Sequence, residues 1–264
     1  QSSVRNLFKL SVDRDSDTKG ELSSVIEENE LTILDEVLPN MSSVGFGDMS
    51  VVMYKGEKML LSKLPLRKRG GKAILANHKK ALQLCSLPDS PNVLRCRGVV
   101  LSKNNDSVSM LTDVVTGDLD HFLKEYAPRL HLQERIIVLR SIIRGLGFLH
   151  RRNLPVGALG EYTIFYSMTS EALPHALAID DLFFTFKIGG YGIMEMVPVT
   201  HMVPEMMPSQ GTPITEATRE ADMWNFGSIV YRILTMQPAF KDGAMIVAAS
   251  KGVLPSLEDC PKGW

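Results

Sequence analysis

The sequence is poor in the residues that staple or metallate a small fold. Its 264 residues hold three cysteines, Cys85, Cys96 and Cys260, odd in number and widely spaced. That argues against a disulfide framework or a cysteine zinc site and points to reduced thiols in a cytosolic setting. The six histidines are scattered, and none forms a ligand pair with a cysteine. No apolar run approaches the roughly 18–20 residues that span a bilayer. Neither charge dominates: 29 Lys and Arg stand against 30 Asp and Glu, a formal charge of −1. The balance gives no global reason to expect nucleic acid or a membrane surface as partner. Repeats and low-complexity tracts are missing as well. What remains is 44% hydrophobic content in a chain long enough for one large domain or two lobes. The chain starts at Gln1 without a signal-like segment and stops at Trp264 inside sequence that reads as folded. The expectation is a piece of a longer protein, cytoplasmic or the intracellular part of something larger.

Residues 1–30 carry Asp13, Asp15, Asp17, Glu21, Glu27, Glu28 and Glu30, and read as an acidic, solvated or loosely docked extension. From there short β-like runs alternate with turn signals: Leu31–Val37, Val51–Tyr54, Met59–Leu64, Val93–Ser102 and Val108–Val115. Ala73–Leu87 reads as a helix among them. Beyond Gly117 the period changes. Leu132, Ile136, Leu139, Ile143 and Leu146 recur at helical spacing, broadened by Ile137, Ile142 and Leu149, which predicts a largely buried helix. Two strand-like runs follow, Tyr162–Tyr166 and Leu182–Ile188, then an apolar helix over Asp222–Leu234. The pattern is α+β: a β-rich small lobe over 31–113 and a mainly helical large lobe over 114–264, incomplete at its C-terminus, with a hinge near 113–117.

Val44-Gly45-Phe46-Gly47-Asp48-Met49-Ser50-Val51-Val52 resembles the glycine-rich loop of protein kinases, with Gly45, Gly47 and Val52 matching and Ser50 replacing the third glycine. Such glycines let backbone amides approach phosphate oxygens. Alone this is a weak signal, since a hairpin turn also needs glycine. The order downstream strengthens it. Lys63 falls where the family has its strand lysine, Ser90-Pro91-Asn92-Val93 resembles the HPN-I/V turn, and Thr112-Asp113 takes the gatekeeper and hinge places. Gly117-Asp118-Leu119, Leu149-His150 and Lys187-Ile188 follow in the family's order. Val203-Pro204-Glu205 resembles Ala-Pro-Glu, and Asp222-Met223-Trp224-Asn225-Phe226-Gly227 matches D-x-W-x-F-G. The motif style is similar to the tyrosine-kinase-like and tyrosine-kinase groups, with mixed-lineage-kinase-domain-like proteins as one pseudokinase comparison. The resemblance implies a bilobal protein kinase-like fold in which Gly45, Gly47, Val52, Lys63, Thr112 and Asp113 are the nucleotide-binding candidates. It gives Glu205, Asp222, Trp224 and Gly227 structural places.

The same resemblance locates what is missing. Phosphoryl transfer relies on a few carboxylates and an amide in fixed positions. The place of the catalytic aspartate holds Ala158, that of the metal-binding asparagine Thr163, and the D-F-G aspartate is Gly190. Near Ala81, where a helix glutamate should pair with Lys63, no acidic residue occurs between Ala73 and Leu87. A missing general base alone costs roughly 10²–10⁴ in rate. The expectation is a pseudokinase without phosphotransferase activity, acting as scaffold, allosteric regulator or conformational switch in signalling. It requires no cofactor, and ATP binding without magnesium stays open. One alternative is a nucleotide-sensing module. Another is a divergent active kinase or nucleotidyl-type transferase using Glu161, Asp180 or Asp181. The run Lys55, Lys58, Lys63, Arg67, Lys68, Arg69, Lys72, Lys79 and Lys80 is basic. A solvated face explains it plainly; an acidic partner, an anionic lipid or residues 13–30 are the functional readings. The partner expected is a signalling protein, not nucleic acid.

Overall fold

The computed structural model describes residues 25–36, 48–65, 83–101, 107–126, 129–157, 159–168, 184–189, 203–204, 218–258 and 260. They are α+β and fall into two compact units, the second comprising residues 89–94 and those from 114 onward.

The first unit is a six-stranded sheet of β1 (Val25–Ile26), β2 (Thr32–Ile33), β3 (Asp48–Tyr54), β4 (Glu57–Pro65), β5 (Cys96–Leu101) and β6 (Ser107–Asp113), in the order β1-β5-β6-β4-β3-β2. β3 and β4 form a hairpin through Lys55-Gly56, both with positive φ (48° and 82°). Two left-handed central residues match the twist of the flanking strands, and glycine adopts that conformation without a Cβ penalty. One side of the sheet buries Ile26, Val52, Met59, Val100 and Leu111.

Two strands are shorter than their sequence pattern suggests. Of the described part of Leu31–Val37, residues 31–36, only Thr32–Ile33 is strand, although Leu34 N–H donates to the Val51 carbonyl at 2.9 Å. The run Val93–Ser102 begins pairing in this sheet only at Cys96, because residues 92–94 bond elsewhere. Leu94 N–H donates to the Ile188 carbonyl (2.7 Å) and Ile188 N–H to that of Asn92 (3.0 Å). The acidic extension expected over 1–30 needs correction at its end. Val25 and Ile26 pair in parallel with Val99 and Val100 of β5, and Ile26 is 2% exposed. The apolar pair is too short to show against its acidic neighbours. Of the helix expected over 73–87, residues 83–85 are helical and 73–82 lie outside the described residues.

The second unit holds a three-stranded antiparallel sheet, β7 (Gly117–Asp118), β8 (Ile164–Met168) and β9 (Phe184–Ile188), in chain order. Its helices are α1 (Leu119–Glu125), α2 (Leu132–His150), α3 (Arg219–Thr235) and α4 (Gly243–Ala249). Side chains satisfy orphan amides at three N-termini: Asp118 accepts from His121 N–H, Thr218 from Ala221 N–H and Asp242 from Met245 N–H. Phe122 packs edge-on to Phe186, with ring centroids 4.8 Å apart, inside a cluster shared with Tyr126, Tyr166 and Phe184.

The buried face of α2 is not centred where the apolar stripe placed it. Val138, Leu139, Ile142, Gly145, Leu146 and Leu149 are buried, whereas Ile136 (42%) and Ile143 (38%) are exposed. At about 100° per residue, Ile136 and Ile143 lie roughly 100–120° around the helix from Ile142. The predicted stripe and the buried face share Leu139 and Leu146, but the buried face extends from them to the side of Ile142 and Gly145, away from Ile136 and Ile143. Gly145 belongs to the buried face because a Cβ there would stand 2.4 Å from the Asn92 carbonyl oxygen. The run Tyr162–Tyr166 starts as strand only at Ile164, since Tyr162 and Thr163 sit in a turn closed by Thr163 N–H to the Gly160 carbonyl (3.0 Å). No helix among the described residues is long and apolar enough to cross a membrane.

Gly145→Ala should lower the denaturant midpoint by an amount equivalent to roughly 1–3 kcal/mol, since the contact is with backbone and cannot relax by a side-chain rotation. Gly227→Ala is the control: a Cβ there meets nothing within 4 Å, and better helix propensity should make it neutral or slightly stabilising.

Candidate functional site

Asp222 stands in the first turn of α3, which Thr218 caps, and its side chain is fully buried. One carboxylate oxygen, Oδ1, accepts from Gly157 N–H at 2.7 Å. The other, Oδ2, accepts from Val156 N–H at 2.7 Å and from His150 Nε2 at 2.7 Å. His150 is the last residue of α2, so one acidic side chain fixes the end of one helix, the start of another and the backbone between α2 and β8. Gly157 has φ +76°, a left-handed turn that favours glycine. A buried carboxylate is tolerable only with such partners.

Three residues on from Gly157, the chain turns again over Gly160–Thr163. The Thr163 hydroxyl accepts from Gly160 N–H (2.9 Å) and donates to the Gly160 carbonyl (3.1 Å), and the residue is 7% exposed. Its own carbonyl accepts from Gly189 N–H at 2.8 Å, at the end of β9. A Cβ on Gly189 would lie 2.7 Å from the Phe165 ring, which leaves no room for a side chain there.

The profile of the protein tyrosine and serine/threonine kinase family matches residues 58–244, more than half of the chain and a span running from β4 into α4. The chain belongs to this kinase family. No curated protein matches it.

Within the kinase frame, several candidate positions lie outside the described residues: Gly45, Gly47, Ala158, Gly190 and Glu205, with Asp180 and Asp181. So does most of the basic run, Arg67 to Lys80. Lys63 is placed by its backbone in β4, opposite Asp48 on β3 and Ser109 on β6. Val52 lies opposite Met59 and is fully buried in the apolar cluster of the sheet. Thr112 is buried on β6, its hydroxyl donating to the Leu60 carbonyl at 3.5 Å. Asp113 accepts from Arg97 Nε at 2.7 Å. The register between β5 and β6 shifts between Cys96 and Gly98, leaving Arg97 the extra residue of a bulge, a device that re-aims a side chain. Lys58, at the start of the basic run, pairs with Glu36 at 2.6 Å, both half exposed. Val203 is fully buried against Ala221 and Trp224, and Trp224 stacks on Phe240 at 5.5 Å.

A cavity in the second unit escaped the sequence reading. It measures about 390 Å³ and is lined by Asp120, Glu161, Tyr162, Arg232, Phe240 and Lys241, among others. The Arg232 guanidinium is 3.8 Å from the carboxylates of both Asp120 and Glu161, and it also donates to the Met236 carbonyl. Burial pushes the Tyr162 phenol up, and the negative charges of Asp120 and Glu161 add to that. These residues come from four separate stretches of sequence with no shared motif, so nothing in their spacing announces them. Among the described residues no group of three or more His, Cys, Asp or Glu is placed to hold a metal ion.

Asp222→Ala leaves Val156 N–H, Gly157 N–H and His150 without their acceptor. It should destabilise the protein by about 3 kcal/mol, with the loss read as a shift in the denaturation midpoint. A double-mutant cycle on Arg97 and Asp113 should return a coupling of roughly 0.5–1 kcal/mol, as expected of a partly exposed pair.

Proposed function

We propose that this kinase-family domain is a pseudokinase: it transfers no phosphate and works in signalling as a scaffold, allosteric regulator or conformational switch. The observation that carries the reading is the Thr163 hydroxyl. At the place where the family keeps a metal-binding asparagine, this side chain closes a turn on Gly160 with both its donor and an acceptor site. Mg²⁺ in kinases needs oxygen ligands in near-octahedral array with carboxylate charge. Ala158 and Gly190 offer a methyl group and a hydrogen, and Thr163 a hydroxyl already engaged. That donor set does not fit the metal.

A reading in which Glu161 serves as a relocated acid is less well supported. Its carboxylate lies 3.8 Å from the Arg232 guanidinium, and the side chain is 12% exposed. An acid held in such a pair is engaged with a partner rather than placed for a proton transfer. In the proposed arrangement the first unit, β1 included, is the small lobe and the second unit the large lobe, and Lys63 is the remaining link to a nucleotide, which would bind as ATP without magnesium. The partner is a cytoplasmic signalling protein, with an acidic partner or an anionic lipid met by the basic run from Lys55 to Lys80.

A thermal-shift titration with ATP, with and without Mg²⁺ or Mn²⁺, combined with radiolabelled phosphate transfer, tests this. The expected result is no transfer and no metal-dependent shift. Metal-dependent stabilisation together with transfer would sink the proposal. Metal-free stabilisation that Lys63→Ala abolishes identifies a nucleotide-sensing pseudokinase.

A further inference from the structure

Two of the three cysteines that look isolated along the chain meet in the first unit. Cys85 ends the helical residues 83–85, and Cys96 opens β5. Their Sγ atoms stand 3.0 Å apart, and neither is in a disulfide. A disulfide needs about 2.05 Å between sulfurs, so closure asks for a movement of roughly 1 Å. The two thiols differ in setting. Cys96 is 5% exposed, while Cys85 is only partly buried. The hydrogen bond to Cys85 first, then burial, holds the Cys96 thiol well above the usual range. It therefore stays protonated and is a poor first target for oxidants, since the thiolate is the reactive form. Cys85 is the better-placed entry point, with Cys96 waiting in contact.

We propose that Cys85 and Cys96 form a reversible disulfide under hydrogen peroxide, making this pair a redox modification site. Peroxide oxidises the Cys85 thiolate to a sulfenic acid and is reduced to hydroxide. The Cys96 sulfur then attacks the Cys85 sulfur, an S–S bond forms, and the sulfenic hydroxyl leaves as water with the Cys96 proton. Two thiols lose two electrons in all, and one peroxide takes them up. The bond would close the segment Ser86–Arg95, which carries Pro88 and Pro91 and whose residues 89–94 belong to the second unit. Oxidation would therefore fix both ends of that segment where the chain leaves and re-enters the first unit. A disulfide closing so short a loop stabilises chiefly by restricting the unfolded chain.

The experiment treats the 264-residue chain with hydrogen peroxide, counts free thiols and maps peptides by mass spectrometry. The expected outcome is a fall from three free thiols to one, a 2 Da mass loss, and a cross-linked peptide pair containing Cys85 and Cys96. Dithiothreitol should reverse all three. The melting temperature should rise by roughly 5 °C on oxidation and return on reduction. Cys260→Ser should still form the Cys85–Cys96 cross-link, falling from two free thiols to none. Cys96→Ser should trap a sulfenic acid on Cys85 that dimedone labels. Should that buried substitution fail to fold, Cys85→Ser serves instead and must abolish the cross-link. Retention of three thiols, a bridge to Cys260, or a bridge between chains would overturn the proposal.

Discussion

Asp222 is the interaction on which the second unit depends. A carboxylate removed from water loses several kcal/mol of hydration unless charge-assisted hydrogen bonds replace it. Here Val156, Gly157 and His150 supply them, all at 2.7 Å. The arrangement works in both directions. The backbone amides after α2 would be orphaned without the acid, and the acid could not be buried without the amides. The chain thus acquires a fixed turn, and from that turn follow the Gly160–Thr163 bend, the entry into β8 and the contact with the end of β9.

That dependency separates two kinds of residue which kinase sequences usually carry together. The turn after α2 is built by Asp222, His150 and Gly157 through backbone geometry alone. The chemistry of phosphoryl transfer needs other side chains mounted on that turn. Of the positions where the family mounts them, Thr163 lies among the described residues, and the Asp222 contacts are formed with threonine there. Thr163 goes further and reinforces the bend with its own hydroxyl. The turn and the chemistry thus rest on different residues.

Much of this was legible beforehand because the signals are local or strongly ordered. The Lys55-Gly56 turn, the apolar run of α3 and the Asp222 motif each carry their physics in a few adjacent residues. What escaped were long-range pairings. Ile26 is buried by partners 26 or more residues away, and nothing in Glu21–Glu30 suggests it. Ile136 and Ile143 were read into the core because apolar spacing of 4, 3, 4, 3 tracks a 3.5 repeat, and only packing reveals which side of a broad stripe faces inward. Cys85 and Cys96 looked unrelated along the chain, yet the return of β5 to the sheet brings them together. The cavity around Arg232 combines residues separated by more than a hundred positions, and no periodicity connects them.

The short strand Val25–Ile26 has a wider consequence. It pairs with Val99 and Val100 on the open side of β5, and Ile26 joins the apolar layer beneath. Two residues thus do for this sheet what charged or bulged borders do for others: they deny a foreign strand a template on which to grow. A recombinant boundary drawn at the motif-rich segment, after residue 30, would remove that guard. The shortened protein would keep every recognisable kinase element and still be the more prone to aggregate.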